Sequence, residues 1–241
     1  MIYALVDIGN TYIKAKIIKD TTTIVCCNVG QTPVAIESFF LESSIDKFLV
    51  SSVVPSVNKM LQALNKDHII LLNHNHFTDL KLHVEPVESI GIDRLVNAVA
   101  VTKKWNANVI IVDVGTCVTF CRIKAGGEYL GGIIAPGFQM IRNALYTGAE
   151  QLPHVGFPSD IPNLIGTTTE KAMHSGIYFG SMHLINGIID ELRQEDDKAS
   201  VVLTGGIPAA LIDQIHYDTF EPDLQFFGLE ILFQQITAIK H

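Results

Sequence analysis

LVDIGNTYIKAKI, Leu5 to Ile17, is an apolar run that ends in an aspartate, followed by a glycine and a second β-like run rich in lysine. A close relative of it, IVDVGTCVTFCRI, returns at Ile111 to Ile123. Both read apolar–Val–Asp–apolar–Gly–polar, so the chain twice places a carboxylate, Asp7 and Asp113, at the end of an apolar strand just before a turn. Repetition at this spacing is the mark of two copies of one supersecondary unit rather than of two unrelated strand ends.

The pattern extends outward from both copies. In the first half, Ile2–Ile8, Tyr12–Lys19 and Thr22–Val29 read as three strands joined by the tight turns GNT and KDTT. A helical stretch near Val34–Glu42, the strand KFLVSSVV and a helix after Pro55 follow, and then the strand HIILLN and a polar loop. GIDRLVNAVAVTKKW carries apolar residues at helical spacing. In the second half, NVIIVDVG, CVTFCRIKAG and EYLGGIIAP repeat the meander. Helices are predicted at Phe138–Glu150, from Thr169 to about Gln194, in IPAALIDQI and in GLEILFQQITAIK, with SVVLTGG as a buried strand. The reading is an α/β protein of two similar halves, residues 1–105 and 106–241, facing each other across a cleft.

In such a frame the two first strands would point Asp7 and Asp113 at one ligand. A carboxylate cannot itself bind phosphate, so the pair implies a cation between, most simply Mg²⁺ that keeps much of its water. The glycine after each aspartate lets the backbone approach, and the turn that follows aims amide N–H groups at phosphate oxygens. The plainer reading, two aspartates that cap turns, suffices for either copy alone and explains the matched pair less well.

Composition restricts the alternatives. The 241 residues are 48% hydrophobic and 17% charged, enough to bury a core, with a formal charge of −8 and no basic tract. A nucleic-acid groove or anionic membrane surface therefore finds no footprint, and no uncharged run is long enough to span a bilayer. Cys26, Cys27, Cys117 and Cys121 form no C-x-x-C pair and read as small buried residues rather than zinc ligands. NHNH, Asn73 to His76, reads as a surface turn in preference to a metal site. No G-x-x-x-x-G-K-[ST] or G-x-G-x-x-G occurs, which removes the P-loop and dinucleotide readings. No targeting pattern opens the chain, and a cytoplasmic protein is expected.

Two such halves resemble the superfamily of acetate kinase, the sugar kinases, the heat-shock ATPases and actin, in which paired ribonuclease-H-like domains hold ATP in an interdomain cleft. Within it the motifs resemble type III pantothenate kinase. DIGNTYIK, Asp7–Lys14, is similar to that family's first phosphate motif, GIDR, Gly91–Arg94, to its substrate motif, and DVGTCVT, Asp113–Thr119, to its second phosphate motif. The glycine–proline segment Gly131–Pro153, GTTTEKAMHSGIYFG at Gly166–Gly180 and LTGG at Leu203–Gly206 follow in the family's order.

That resemblance implies transfer of the ATP γ-phosphoryl group to the primary hydroxyl of pantothenate, with Mg²⁺ and a monovalent cation, K⁺ or NH₄⁺, in a homodimer. It implies ATP binding by Asp7, Ile8, Gly9, Asn10, Thr11, Tyr12, Ile13, Lys14 and Thr116, and cation binding by Asp113. Asp93 matches the proton acceptor; Gly91, Ile92, Asp93 and Arg94 match substrate contacts, and Thr169 a substrate contact from the neighbouring subunit. Beside Arg94 at a helix start, Asp93 is expected to stay ionised. Two departures stand out: His83 occupies a tyrosine position of the family and Pro86 lies five residues before Gly91, while Cys117 replaces an alanine. Other readings are a different small-molecule kinase or phosphohydrolase of the superfamily, and a non-catalytic ATP-binding regulatory protein.

Overall fold

The computed structural model describes residues 1–30, 32–42, 44–64 and 66–238. The chain separates into two compact units, each built on one mixed sheet. The first comprises residues 1–106, 126–129 and 223–241, the second residues 107–125 and 130–222.

In the first unit, β1 (Ile2–Ile8), β2 (Ile13–Lys19) and β3 (Thr22–Val29) form the antiparallel meander. β4 (Lys47–Ser52) and β5 (Ile69–Leu71) add in parallel, giving the order β3-β2-β1-β4-β5. Tyr3 to Val6 are buried without a break, as expected of a central strand covered on both faces. One face carries α1 (Pro33–Phe40) and α2 (Pro55–Leu64), whose Ile36, Phe40 and Leu61 pack with Ala4, Val6, Ile8 and Phe48. Thr32 caps α1, its Oγ1 accepting from Ala35 N, and Pro33 opens the helix where a missing N–H costs nothing. A two-stranded ladder, β6 (Lys81–Leu82) with Glu128 and Tyr129, also belongs to this unit.

The unit's central helix is α3 (Ile92–Trp105), buried at eight positions from Ile92 to Val101. Asn106 ends it in the left-handed conformation, φ 46°, its N–H bonded to the Thr102 carbonyl.

The second unit repeats the topology. β7 (Val109–Val114), β8 (Cys117–Lys124) and β9 (Glu128–Pro136) take the places of β1, β2 and β3. β10 (Ser200–Gly205) and β11 (Thr219–Phe220) take those of β4 and β5, so β9-β8-β7-β10-β11 mirrors the first sheet's order. The helices are α4 (Phe138–Gly148), the 27-residue α5 (Thr169–Glu195) and α6 (Ala209–Ile212). Tyr178, Ile185 and Ile189 of α5 pack on Ile110, Val112, Val201 and Leu203.

The remaining helix, α7 (Leu224–Ala238), differs from expectation in start and in place. It begins four residues before Gly228, and the expected end at 239–240 lies outside the described residues. Division at 105/106 assigned this segment to the second half, but it belongs to the first unit, where it packs on α3. Gly228 meets the backbone of α3 at Val96, where any Cβ would collide with the Val96 carbonyl. Phe233 stacks on Tyr3 with centroids 4.1 Å apart. No helix among the described residues is long and apolar enough to cross a membrane.

Candidate active site

β1, β4 and β5 run parallel, so their C-terminal ends share one edge of the first sheet. Asp7, Ile8 and Gly9 leave β1 at this edge, and the turn through Asn10, Thr11 and Tyr12 is closed by Gly9 N–H donating to the Tyr12 carbonyl at 3.0 Å. Asn10 and Tyr12 are exposed, whereas Ile8 and Ile13 pair across the hairpin and point into the core. Strand alternation thus puts Asp7 on the face opposite Ile8, directly across from exposed Lys14 on β2.

Asp7 has a neighbour that the sequence did not reveal. Gln225, in the first turn of α7, donates through Nε2 to Asp7 Oδ1 and to Ser51 Oγ, both at 3.3 Å. Its Oε1 is buried and accepts no hydrogen bond among the described residues. A carboxylate beside an unused buried acceptor suits the water shell of a hydrated Mg²⁺, which wants oxygen ligands and second-shell acceptors. No sequence signal could have found Gln225, because only the packing of α7 on α3 brings it to Asp7.

The substrate-like motif lies at the same edge. Gly91 is the N-cap of α3, and Ile92, Asp93 and Arg94 form its first turn. Arg94 N–H donates to Asp93 Oδ1 at 2.8 Å, and Arg94 Nη2 donates to the Ser89 carbonyl at 3.3 Å. Asp93 Oδ1 folds back so closely over Gly91 that a Cβ there would strike it. Burial pushes the Asp93 carboxyl above the usual aspartate range, and the Arg94 N–H and guanidinium only partly oppose it. Desolvation of a half-buried carboxylate outweighs the helix start and the arginine that the sequence shows, so the shift is upward where those two alone would lower it. A carboxylate so raised is a better base than a free aspartate.

In the second unit, glycines let the backbone pack closely around Asp113 and Thr116. A Cβ on Gly205, held at φ +97°, would lie 2.7 Å from Asp113 Oδ1. A Cβ on Gly137, the N-cap of α4, would collide with the Gly115 and Thr116 carbonyls. Gly115 N–H donates to the Cys117 carbonyl, closing the turn at 2.9 Å, and Gly206 N–H donates to the Val114 carbonyl at 2.7 Å. Cys117 Sγ, on the strand leaving this turn, sits 3.7 Å from Met140 Sδ. A carboxylate at a strand end beside a helix N-terminus is a combination that suits a cation or a phosphate.

Thr169 is the first residue of α5 and is exposed, and the capping role falls to Thr168, whose Oγ1 accepts from Lys171 N at 3.2 Å. Thr169 is thereby free of capping duty. His83 lies on the β6 edge, its N–H bonded to the Tyr129 carbonyl and its ring 3.8 Å from Glu128. The four cysteines form no disulfide, and no three His, Cys, Asp or Glu side chains cluster as a metal site among the described residues.

Residues 4–191 match the family model for type III pantothenate kinase, which is most of the chain. This protein belongs to the type III pantothenate kinase family. A type III pantothenate kinase of Listeria monocytogenes is 32% identical over 250 residues, covering 96% of both chains. Among solved structures, a Campylobacter jejuni protein described as a Baf family transcriptional activator superposes with a TM-score of 0.64 at 20% identity, covering 98% of this chain and 99% of that one. The ROK hexokinase of Thermus thermophilus superposes with a TM-score of 0.54 at 10% identity, covering 99% and 100%. Those likenesses establish the fold, that of the sugar kinases, and membership of the pantothenate kinase family rests on the sequence.

Proposed function

We propose that the protein transfers the γ-phosphoryl group of ATP to the primary hydroxyl of pantothenate, yielding 4′-phosphopantothenate and opening coenzyme A synthesis in the cytoplasm. Membership of the family over residues 4–191 carries this reading, and the geometry of Gly91–Arg94 agrees with it.

Asp93, with its raised carboxyl and its place at the mouth of α3, accepts the hydrogen bond of the pantothenate hydroxyl and orients it for attack. Because the transition state of phosphoryl transfer is loose, this alignment contributes more than early removal of the proton, which Asp93 takes up as the new bond forms. Arg94 presents a planar cation to the substrate, and Gly91 and Ile92 offer backbone groups. The turn from Asp7 through Lys14 would bind the nucleotide phosphates, Asp7 and Gln225 would hold hydrated Mg²⁺, and Thr116 would contact ATP. Bound Mg²⁺ neutralises charge on the phosphate oxygens. Asp113 would hold the monovalent cation, K⁺ or NH₄⁺.

The active species in this reading is a homodimer, in which Thr169 serves the neighbouring subunit's substrate. Support comes from the uncovered apolar surface of the second unit. α4 has no buried residue, and Met140, Tyr146, Ile134, Leu164 and Ile165 are exposed. Exposed apolar residues on one unit are the raw material of an association surface.

A coupled ADP-release assay with pantothenate and a panel of other primary alcohols tests the function. Turnover specific to pantothenate is expected. ADP release without any acceptor would indicate a phosphohydrolase, and preference for another alcohol would overturn the substrate.

A further inference from the structure

The turn Asn73–His76, read from sequence as a bland surface loop, is tied to the substrate-like motif. It hangs from the end of β5, at the edge where β1 ends in Asp7. His74 Nε2 lies 2.9 Å from the carbonyl oxygen of Ile90, the residue immediately before Gly91. A carbonyl can only accept, so Nε2 carries a hydrogen and donates.

We infer that His74 is a positioning residue for the reaction: it fixes the Ile90–Gly91 peptide and thereby the direction in which Asp93 and Arg94 leave the start of α3. This rests on the role proposed above for Gly91–Arg94.

The turn that carries His74 is itself braced. Asn73 Oδ1 accepts from Asn75 N at 3.0 Å, and Asn73 N–H donates to His76 Nδ1 at 3.1 Å, a reciprocal cap that closes the short helix. Leu72, one residue upstream, is buried, and its N–H bonds the Val50 carbonyl of β4 at 2.9 Å. His74 therefore reaches out from a fixed base. The segment it meets is held by local bonds at its front: Ser89 N–H and Oγ both donate to the Pro86 carbonyl, and Ile90 N–H donates to Val87. On its far side the Ser89 carbonyl accepts from Arg94 Nη2. Among the described contacts, the His74 bond is the one long-range tie on the Ile90 carbonyl, spanning 16 positions. Ile90 is buried and the Gly91 carbonyl accepts from α3, so the loss of the bond acts on the peptide plane before Gly91, whose carbonyl then has no partner among the described contacts. Asp93 Oδ1, which lies against Gly91, then loses its fixed direction. Misplacement of this size is costly when catalysis depends on alignment.

The test compares wild type, His74→Leu, His74→Gln and Asp93→Asn. Glutamine can place an N–H near the position of His Nε2, whereas leucine fills the space without a donor. His74→Leu is expected to lower kcat/KM for pantothenate by roughly ten- to a hundredfold, with KM for ATP unchanged, and His74→Gln to restore most of it. Amide exchange across residues 87–95 should be faster in His74→Leu and near wild type in His74→Gln. Unchanged exchange in His74→Leu overturns the tie whatever the kinetics, and faster exchange with normal pantothenate kinetics overturns its relevance to the reaction. Full activity in Asp93→Asn would instead bring down the role given to Gly91–Arg94, an outcome that the exchange data keep separate from the tie itself.

Discussion

At the scale of single residues, Asp93 combines two properties in tension. Its carboxyl is raised by burial, so the charged form is disfavoured in the fold relative to the unfolded chain. A group of that kind contributes stability at low pH that is lost as pH rises from its unfolded value through its folded one. Asp93→Asn removes the penalty while its Oδ1 can still accept from Arg94 N–H. The variant should therefore melt no lower than wild type at neutral pH, with kcat reduced by roughly a hundredfold or more, the scale of a positioned base. In wild type, activity should fall on acidification at a higher pH than the ordinary aspartate value, because the carboxylate is protonated earlier. Thermal melts and a kcat–pH profile check both, and near-normal turnover in the variant would remove Asp93 from the mechanism.

At the scale of elements, the contact of α3 with α7 decides how Gln225 meets Asp7. Gly228→Ala tests it because two effects compete. Alanine improves helix propensity by up to about 1 kcal/mol. Its Cβ, however, would collide with the Val96 carbonyl and lie 2.8 Å from Val96 Cγ1, and overpacking against backbone costs about 1–3 kcal/mol. The collision should win, lowering the melting temperature by a few degrees for a protein of this size and weakening nucleotide binding through displacement of Gln225. A melting temperature at or above wild type would show that the two helices are not so tightly bound together.

At the scale of the whole molecule, a shared substrate pocket makes a prediction that no single chain can satisfy. Asp93→Asn and Thr169→Ala should each be inactive as pure proteins. If Thr169 serves the neighbouring subunit, a mixed dimer contains one site with neither change, and mixing with subunit exchange should restore part of the activity. Light scattering that shows an active monomer, or no recovery after proven exchange, would count against the dimeric site. The exposed apolar residues of α4 and of residues 161–165 give this experiment its surface.

Local chemistry was enough to read much of this protein from its residues. The duplicated meander, the two aspartate–glycine strand ends and α3 starting at GIDR all follow from periodicity and turn chemistry acting within a few residues. The N-cap of α5, which falls to Thr168, is equally a local matter. Three features were beyond such reading: α7 joining the first unit, Gln225 reaching Asp7, and His74 holding Ile90. Each depends on contacts between segments distant in sequence, which periodicity cannot encode. The direction of the Asp93 shift belongs with them, since Arg94 is visible in the sequence, whereas the desolvation that outweighs it is created only when the chain packs around the carboxyl.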